Sequence, residues 1–216
     1  MEEFELGTPA LVCRWRLAAR TLPLENRHLR ALSQRHVNGA SVTTGLVAWA
    51  KQHIEWTLAD GAARHPNGVL MVVVDEAGRA AMTVGPYEPL AETEPLSLAA
   101  RALASAREAA VTGVAPESLW SVRNGALVWG AAEEELPSGA ATLVLDLART
   151  LGVAVTREPR LAEAVAAGEA DGARVLLVSD EHGVVPAAGC GDELVRRLAQ
   201  GYATLLEKAS RRPFGV

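Results

Sequence analysis

Residues 170–187, ADGARVLLVSDEHGVVPA, set a short apolar run against a charged turn. An acidic lead-in, Glu169-Ala170-Asp171, enters the apolar run 175–178. The polar turn Ser179-Asp180-Glu181-His182-Gly183 follows, and a second apolar run ends at Pro186. An apolar strand that stops in a polar, Gly-containing turn is where a mixed sheet opens onto a pocket. The sequence therefore predicts a strand, a turn carrying chemistry, and a return strand.

Working outward, residues 192–209 carry helical spacing behind Asp192 or Gly191 as cap. On the other side, residues 161–167 predict a short helix and 153–156 a strand. Ser138 or Gly139 caps a helix that runs to Leu151, and Gly152 closes it. Residues 118–129 read as a hairpin, because Asn124-Gly125 supplies the positive φ angles of a tight turn. Residues 96–111 predict an Ala-rich helix.

Further upstream, residues 85–95 (GPYEPLAETEP) hold three prolines and read as a linker. Residues 69–75 and 80–84 form strands around the turn 76–79. Residues 42–62 space Val42, Leu46, Trp49, His53 and Trp56 at steps of three and four, an amphipathic helix. Trp49 and Trp56 would then share a core or dimer face. Residues 24–35 predict another helix. Residues 10–22 alternate Leu11, Cys13, Trp15 and Leu17 against Arg14, Arg16 and Arg20, a half-buried strand. The tail 211–216 reads as loose. The sum is an α+β chain of two unequal α/β subdomains, 1–86 and 87–216.

Composition narrows the function. The 216 residues are 49% hydrophobic and 22% charged, ordinary for a folded chain with a real core. A net charge of −5 gives no bulk attraction to nucleic acid or anionic membrane. Cys13 and Cys190 make no disulfide framework, and the Glu-rich start reads as no signal peptide, so a cytoplasmic location is expected. No apolar run approaches the roughly 18 residues that span a bilayer. Abundant Ala, Arg and Gly beside only Lys51 and Lys208 suggest a GC-rich, actinobacterial-looking genome and a biosynthetic role.

From Glu117 onward the chain resembles the class IV aminotransferases, the fold-type IV pyridoxal-phosphate enzymes that include branched-chain and D-amino-acid aminotransferases and aminodeoxychorismate lyase. Glu117-Ser118-Leu119-Trp120 with Val122-Arg123-Asn124-Gly125-Ala126-Leu127 is similar to that family's E-N-L-F-x-V-x-D-G-x-L hairpin. Leu136-Pro137-Ser138-Gly139, then Leu151-Gly152-Val153-Ala154-Val155, is similar to L-P-G-I-T-R … E-L-G-I-x-V. Ala170-Asp171 with Gly183-Val184-Val185-Pro186 is similar to A-D-E-V-F-x-T … P-V, and Asn26-Arg27-His28-Leu29 to the family's H-L helix start. The resemblance implies a fold-type IV aminotransferase-like fold and a homodimer.

The family's chemical residues do not carry over. Its lysine should precede the helix at 96–111, and no Lys lies between Lys51 and Lys208. Its phosphate-gripping arginine falls on Ala31, beside Arg30. The carboxylate for the pyridine nitrogen falls at Thr112 or Gly113. Its Gly-Thr phosphate pair falls on Ser179-Asp180, where a carboxylate would repel a phosphate. These departures imply no cofactor, with pyridoxal phosphate lost. With no His-x-x-x-His and no Cys pair, no metal is expected.

Candidate catalytic residues are then Asp180, Glu181 and His182: a histidine titrates near neutrality and a carboxylate orients it. The bland reading is a solvated turn. Arg14 and Arg16, with Ser179, Gly139 and Thr142, are candidate ligands for a carboxylated substrate, through guanidinium pairing and the N–H groups of a helix start. The bland reading for the arginines is a solvent face; for His28 it is core or capping. Three functions stay open: a repurposed lyase, cyclase or condensing enzyme acting on a small carboxylated metabolite; a non-catalytic binding protein; and a pyridoxal-phosphate enzyme. No nucleic-acid or membrane partner is expected.

Overall fold

The computed structural model describes residues 5–113 and 115–211. In chain order the elements are β1 (Pro9–Arg16), α1 (Glu25–Ser33), β2 (His36–Val37), β3 (Ala40–Ser41), α2 (Thr44–Asp60), β4 (Val69–Asp75) and β5 (Ala80–Gly85). Then come α3 (Pro95–Thr112), β6 (Ser118–Arg123), β7 (Ala126–Trp129), α4 (Gly139–Thr150), β8 (Val155–Arg157), α5 (Leu161–Ala166), β9 (Val175–Ser179), β10 (Gly183–Pro186) and α6 (Glu193–Ser210). The loose tail expected from 211 falls, beyond Arg211, outside the described residues.

The early strands make an antiparallel sheet in the order β1-β4-β5. Period-2 alternation turns Leu11, Cys13 and Trp15 of β1 and Leu70, Val72 and Val74 of β4 into one core. α1 and α2 cover it through Leu29, Leu32, Ala50, Ile54 and Leu58. Ala50, Ile54 and Leu58 follow one another at i, i+4 and i+8, so the buried stripe of α2 is theirs. The aromatic stripe expected as core or dimer face lies beside it, outside the core: Trp56 is 56% exposed, and His53 stacks on Trp49 at 4.4 Å. The two tryptophans share a face, but small and branched residues pack closer to the sheet.

The later strands form a second sheet, β10-β9-β6-β7-β8, antiparallel except for β7 beside β8. Every residue of β9 is buried. Leu176 and Val178 face α4 and α6, while Val175 and Leu177 face α3 and α5. That two-sided cover explains why this strand reads as an unbroken apolar run. Trp120 and Trp129 sit opposite each other across β6 and β7 and stack at 5.0 Å. Asn124 (φ 52°) and Gly125 (φ 76°) make the predicted tight turn. β8 starts two residues later than expected because the Val153 N–H still closes the end of α4, donating to the Ala148 carbonyl at 2.9 Å.

The two sheets meet at the turn after β9. The Arg16 N–H donates to the Asp180 carbonyl at 3.0 Å. Arg27 of α1 pairs with Asp146 of α4 at 2.8 Å, and Arg35 donates to the carbonyls of Leu136 and Pro137. A cleft is left between β1, α1, α3 and that turn. Among the described residues, no helix is long and apolar enough to cross a membrane.

Candidate functional site

The register of β6 against β9 builds the site. Pairing of Ser118 with Val178 brings Glu117, the residue before β6, against Ser179, the last of β9. Glu117 is buried, and its carboxylate accepts from the Ser179 hydroxyl at 2.8 Å and from the Arg101 side chain of α3 through both Nε and Nη2. The same Ser179 oxygen accepts from the N–H groups of Glu181 (3.1 Å) and His182 (3.0 Å). Ser179, expected to touch substrate, therefore holds the turn in shape instead.

His182 lies under Glu117 and Arg101. Its Nε2 is 3.7 Å from Glu117 Oε1 and 3.5 Å from Arg101 Nη2, and its Nδ1 is 3.4 Å from the Tyr87 hydroxyl. Burial drives its pKa down, against the pull of Glu117 and Glu181, and the net direction is below the ordinary value. A neutral imidazole at pH 7 follows, able to accept a proton. Glu181 completes the group: ligand atoms of Glu117, Glu181 and His182 all lie within 4.8 Å of one another. The next residue, Gly183, has φ +79°, and a Cβ there would run into the Tyr202 ring, so only glycine lets the chain turn here.

Asp180 does not join its neighbours. Its carboxylate turns the other way, onto the start of α4, and accepts from the N–H groups of Ala140 at 2.7 Å and Gly139 at 3.4 Å. His28 Nδ1 stands 3.4 Å from it, with the ring buried and stacked on Trp15. Burial raises the Asp180 carboxyl, but the His28 ring and the hydrogen bonds from Ala140 and Ser138 outweigh it, and the group is held below its ordinary value. This corrects two expectations. The three consecutive residues are not one catalytic set, and the helix start offered as a substrate site is already filled. Ala141 N–H donates to Ser138 Oγ, the N-cap, and a Cβ on Gly139 would collide with His28. Thr142 also turns inward, donating to the Gly139 carbonyl at 2.7 Å and accepting from Arg27 at 3.3 Å.

The two arginines of β1 share a face, two residues apart, at the cleft. Arg14 pairs with Glu108 of α3 at 2.7 Å, which raises its pKa. The Arg16 guanidinium lies 3.3 Å from the centre of the Tyr87 ring. Arg20 does not extend that face; it donates to the Ala59 carbonyl at 3.0 Å. Beside Arg14 is a cavity of about 30 Å³, lined by Cys13, Arg14, His28, Arg101, Glu117 and Glu181 among others; Arg16 and His182 flank it without lining it. Burial pushes the Cys13 thiol up to about 12, so it is an inert wall. Cys190 packs against apolar residues of the later sheet.

The residues sequence reasoning missed are Glu117, Arg101 and Tyr87. Each reaches the turn from a distant element. The one signal for Glu117 was a carboxylate standing directly before the strand Ser118-Leu119-Trp120-Ser121-Val122, whose burial a charge at that position must answer with a partner.

No family model and no curated protein matches the chain. Solved structures do. A hypothetical aminotransferase from Mycobacterium tuberculosis in its PLP-bound form aligns with TM-score 0.61 at 14% identity, over 97% of this chain and 94% of that one. A fold IV transaminase, CpuTA1, from Curtobacterium pusillum aligns with TM-score 0.55 at 13% identity, over 96% and 90%. An aminotransferase from Brucella abortus bound to the co-factor PLP aligns with TM-score 0.54 at 14% identity, over 96% and 95%. The fold is that of the fold-type IV aminotransferases. The expectation of no cofactor is overturned by the same likeness: the M. tuberculosis and B. abortus structures hold PLP, and another form of the first holds PMP.

Proposed function

We propose that the chain binds a small carboxylated metabolite at this cleft and moves a proton on it, with Arg14 and Arg16 on the carboxylate and the Glu181–His182–Glu117 group as the acid–base pair and its orienter. One observation carries the reading. A carboxylate without a hydrogen-bond or ion-pair partner among the described residues, Glu181, stands beside a buried imidazole and faces the arginines of β1. A free base next to a cationic rim is what proton abstraction from a carbon acid requires. Arg14, already held by Glu108, is pre-oriented, and a substrate carboxylate would share its fork. A homodimer is part of the reading, and light scattering of the purified chain checks it.

Pyridoxal phosphate is the group the fold points to, and it is the first cofactor to add. When bound, it would act as an electron sink for a carbanion. The residues that line the cleft fit it poorly. Lys51 and Lys208 stand in α2 and α6, away from the lining, and the Asp180 carboxylate takes the N–H groups a phosphate would use.

Thermal-shift and calorimetric titration with small mono- and dicarboxylates, with and without pyridoxal phosphate, tests the reading. At least one acid binds saturably to the wild-type chain, and Arg14→Met weakens it about tenfold or more, the loss of one charged hydrogen bond. An Arg14→Met chain that binds the same acid equally well refutes it.

A further inference from the structure

We infer that Glu117, Glu181 and His182 form a binding site for a divalent first-row cation, and that the Arg101 guanidinium now keeps that place. The inference shares its residues with the proton-transfer reading but does not depend on any acid binding. Three donor atoms within 4.8 Å of one another need only small inward side-chain movements to meet one ion at ordinary bond lengths of about 2.0–2.2 Å. They come from two elements that the β6–β9 register locks together, so the arrangement exists before any metal arrives.

The contacts inside the group read as a cation site. Glu117 Oε1 and His182 Nε2 are 3.7 Å apart. With Nδ1 toward the Tyr87 hydroxyl and Nε2 toward a guanidinium N–H, the unprotonated nitrogen is Nε2. Two acceptors thus face each other across a gap, and what joins them is the positive Arg101 head. That side chain is 41% exposed, while His182 is 4% exposed. Arg101 can swing into water, and the acceptors cannot leave.

Charge decides whether a metal can displace it. A dication brings twice the charge of guanidinium and sits closer to the oxygens. Among the described residues, the Glu181 carboxylate has no hydrogen bond or ion pair to give up; only its backbone N–H is engaged, with Ser179. Arg14 is neutralised by Glu108, and Arg16 lies over Tyr87. One imidazole and two carboxylates suit Zn²⁺ or Mn²⁺, not the soft cations that select thiolates. Three protein ligands leave positions for water, and metal-bound water loses a proton near neutrality.

Equilibrium dialysis of the chelator-treated full chain against Zn²⁺ and against Mn²⁺ alone, with bound metal counted by mass spectrometry, tests the site. The wild-type chain takes up one equivalent. Glu181→Gln, at a half-exposed position that keeps its shape, and His182→Ala each weaken binding at least tenfold. Arg101→Gln tightens it about tenfold. Circular dichroism confirms that each variant is folded; if His182→Ala is not, Glu181→Gln and Arg101→Gln carry the test. No stoichiometric metal on the wild-type chain at millimolar ion, or binding that Glu181→Gln leaves unchanged, overturns the site. Neither result touches the carboxylate titration, which is read without metal.

Discussion

Asp180→Ala should destabilise the protein by about 2–4 kcal/mol, because an internal anion closes the start of α4. Its carboxylate accepts the Ala140 N–H at 2.7 Å and, more weakly, the Gly139 N–H at 3.4 Å. A buried donor left without a partner costs about 1–3 kcal/mol. Loss of a negative charge at a helix N-terminus removes up to about 2 kcal/mol in a buried setting. Relief from burying the charge offsets part of this. Asp180→Asn keeps an acceptor and loses only the charge, so it should cost about 1 kcal/mol. Urea unfolding with an unchanged slope reads both values. Because the carboxyl is held below its ordinary value, its stabilisation is present above about pH 4 and fades as pH falls. The gap between wild type and Asp180→Ala should shrink on acidification. A loss under about 0.5 kcal/mol for Asp180→Ala, or equal damage from Asp180→Asn, would refute the reasoning.

Asp75 should carry a second acid-sensitive contribution. It accepts from the N–H groups of Gly7, Ala77 and Arg79 and from Arg79 Nε, and its pKa is lowered to about 2. Its stabilisation is complete above about pH 4 and is lost down to about pH 2; melting curves of Asp75→Asn should therefore converge with wild type in that window and diverge above it. Cys13, with its thiol near 12, should stay silent to a disulfide reagent at pH 8 until the chain unfolds. Fast labelling of both cysteines in the native state would show that the wall of the cleft opens.

Local signals were the legible ones. The Asn124-Gly125 turn, the Ser138 and Asp192 caps and the apolar run of β9 each depend on a few adjacent residues, and the structure has them. The aminotransferase wording of residues 117–186 carried the fold. The site was harder. Asp180, Glu181 and His182 are consecutive, but a tight turn sends them in different directions, and only the β1 and α4 contacts show which way. Glu117 and Arg101 enter through strand register and helix packing, which sequence spacing does not encode. Of the two readings of Trp56, core or dimer face, the core one fails because Ala50, Ile54 and Leu58 fill the buried stripe.

The most direct test of the central claim is hydrogen exchange at carbon. A carboxylate that binds should be incubated with the protein in D₂O and its carbon-bound hydrogens followed by proton NMR. Proton transfer at the Glu181–His182 group predicts washout of a hydrogen next to the carboxyl, reduced at least a hundredfold in Glu181→Gln while binding persists. Binding without washout, or washout that Glu181→Gln leaves intact, would contradict it.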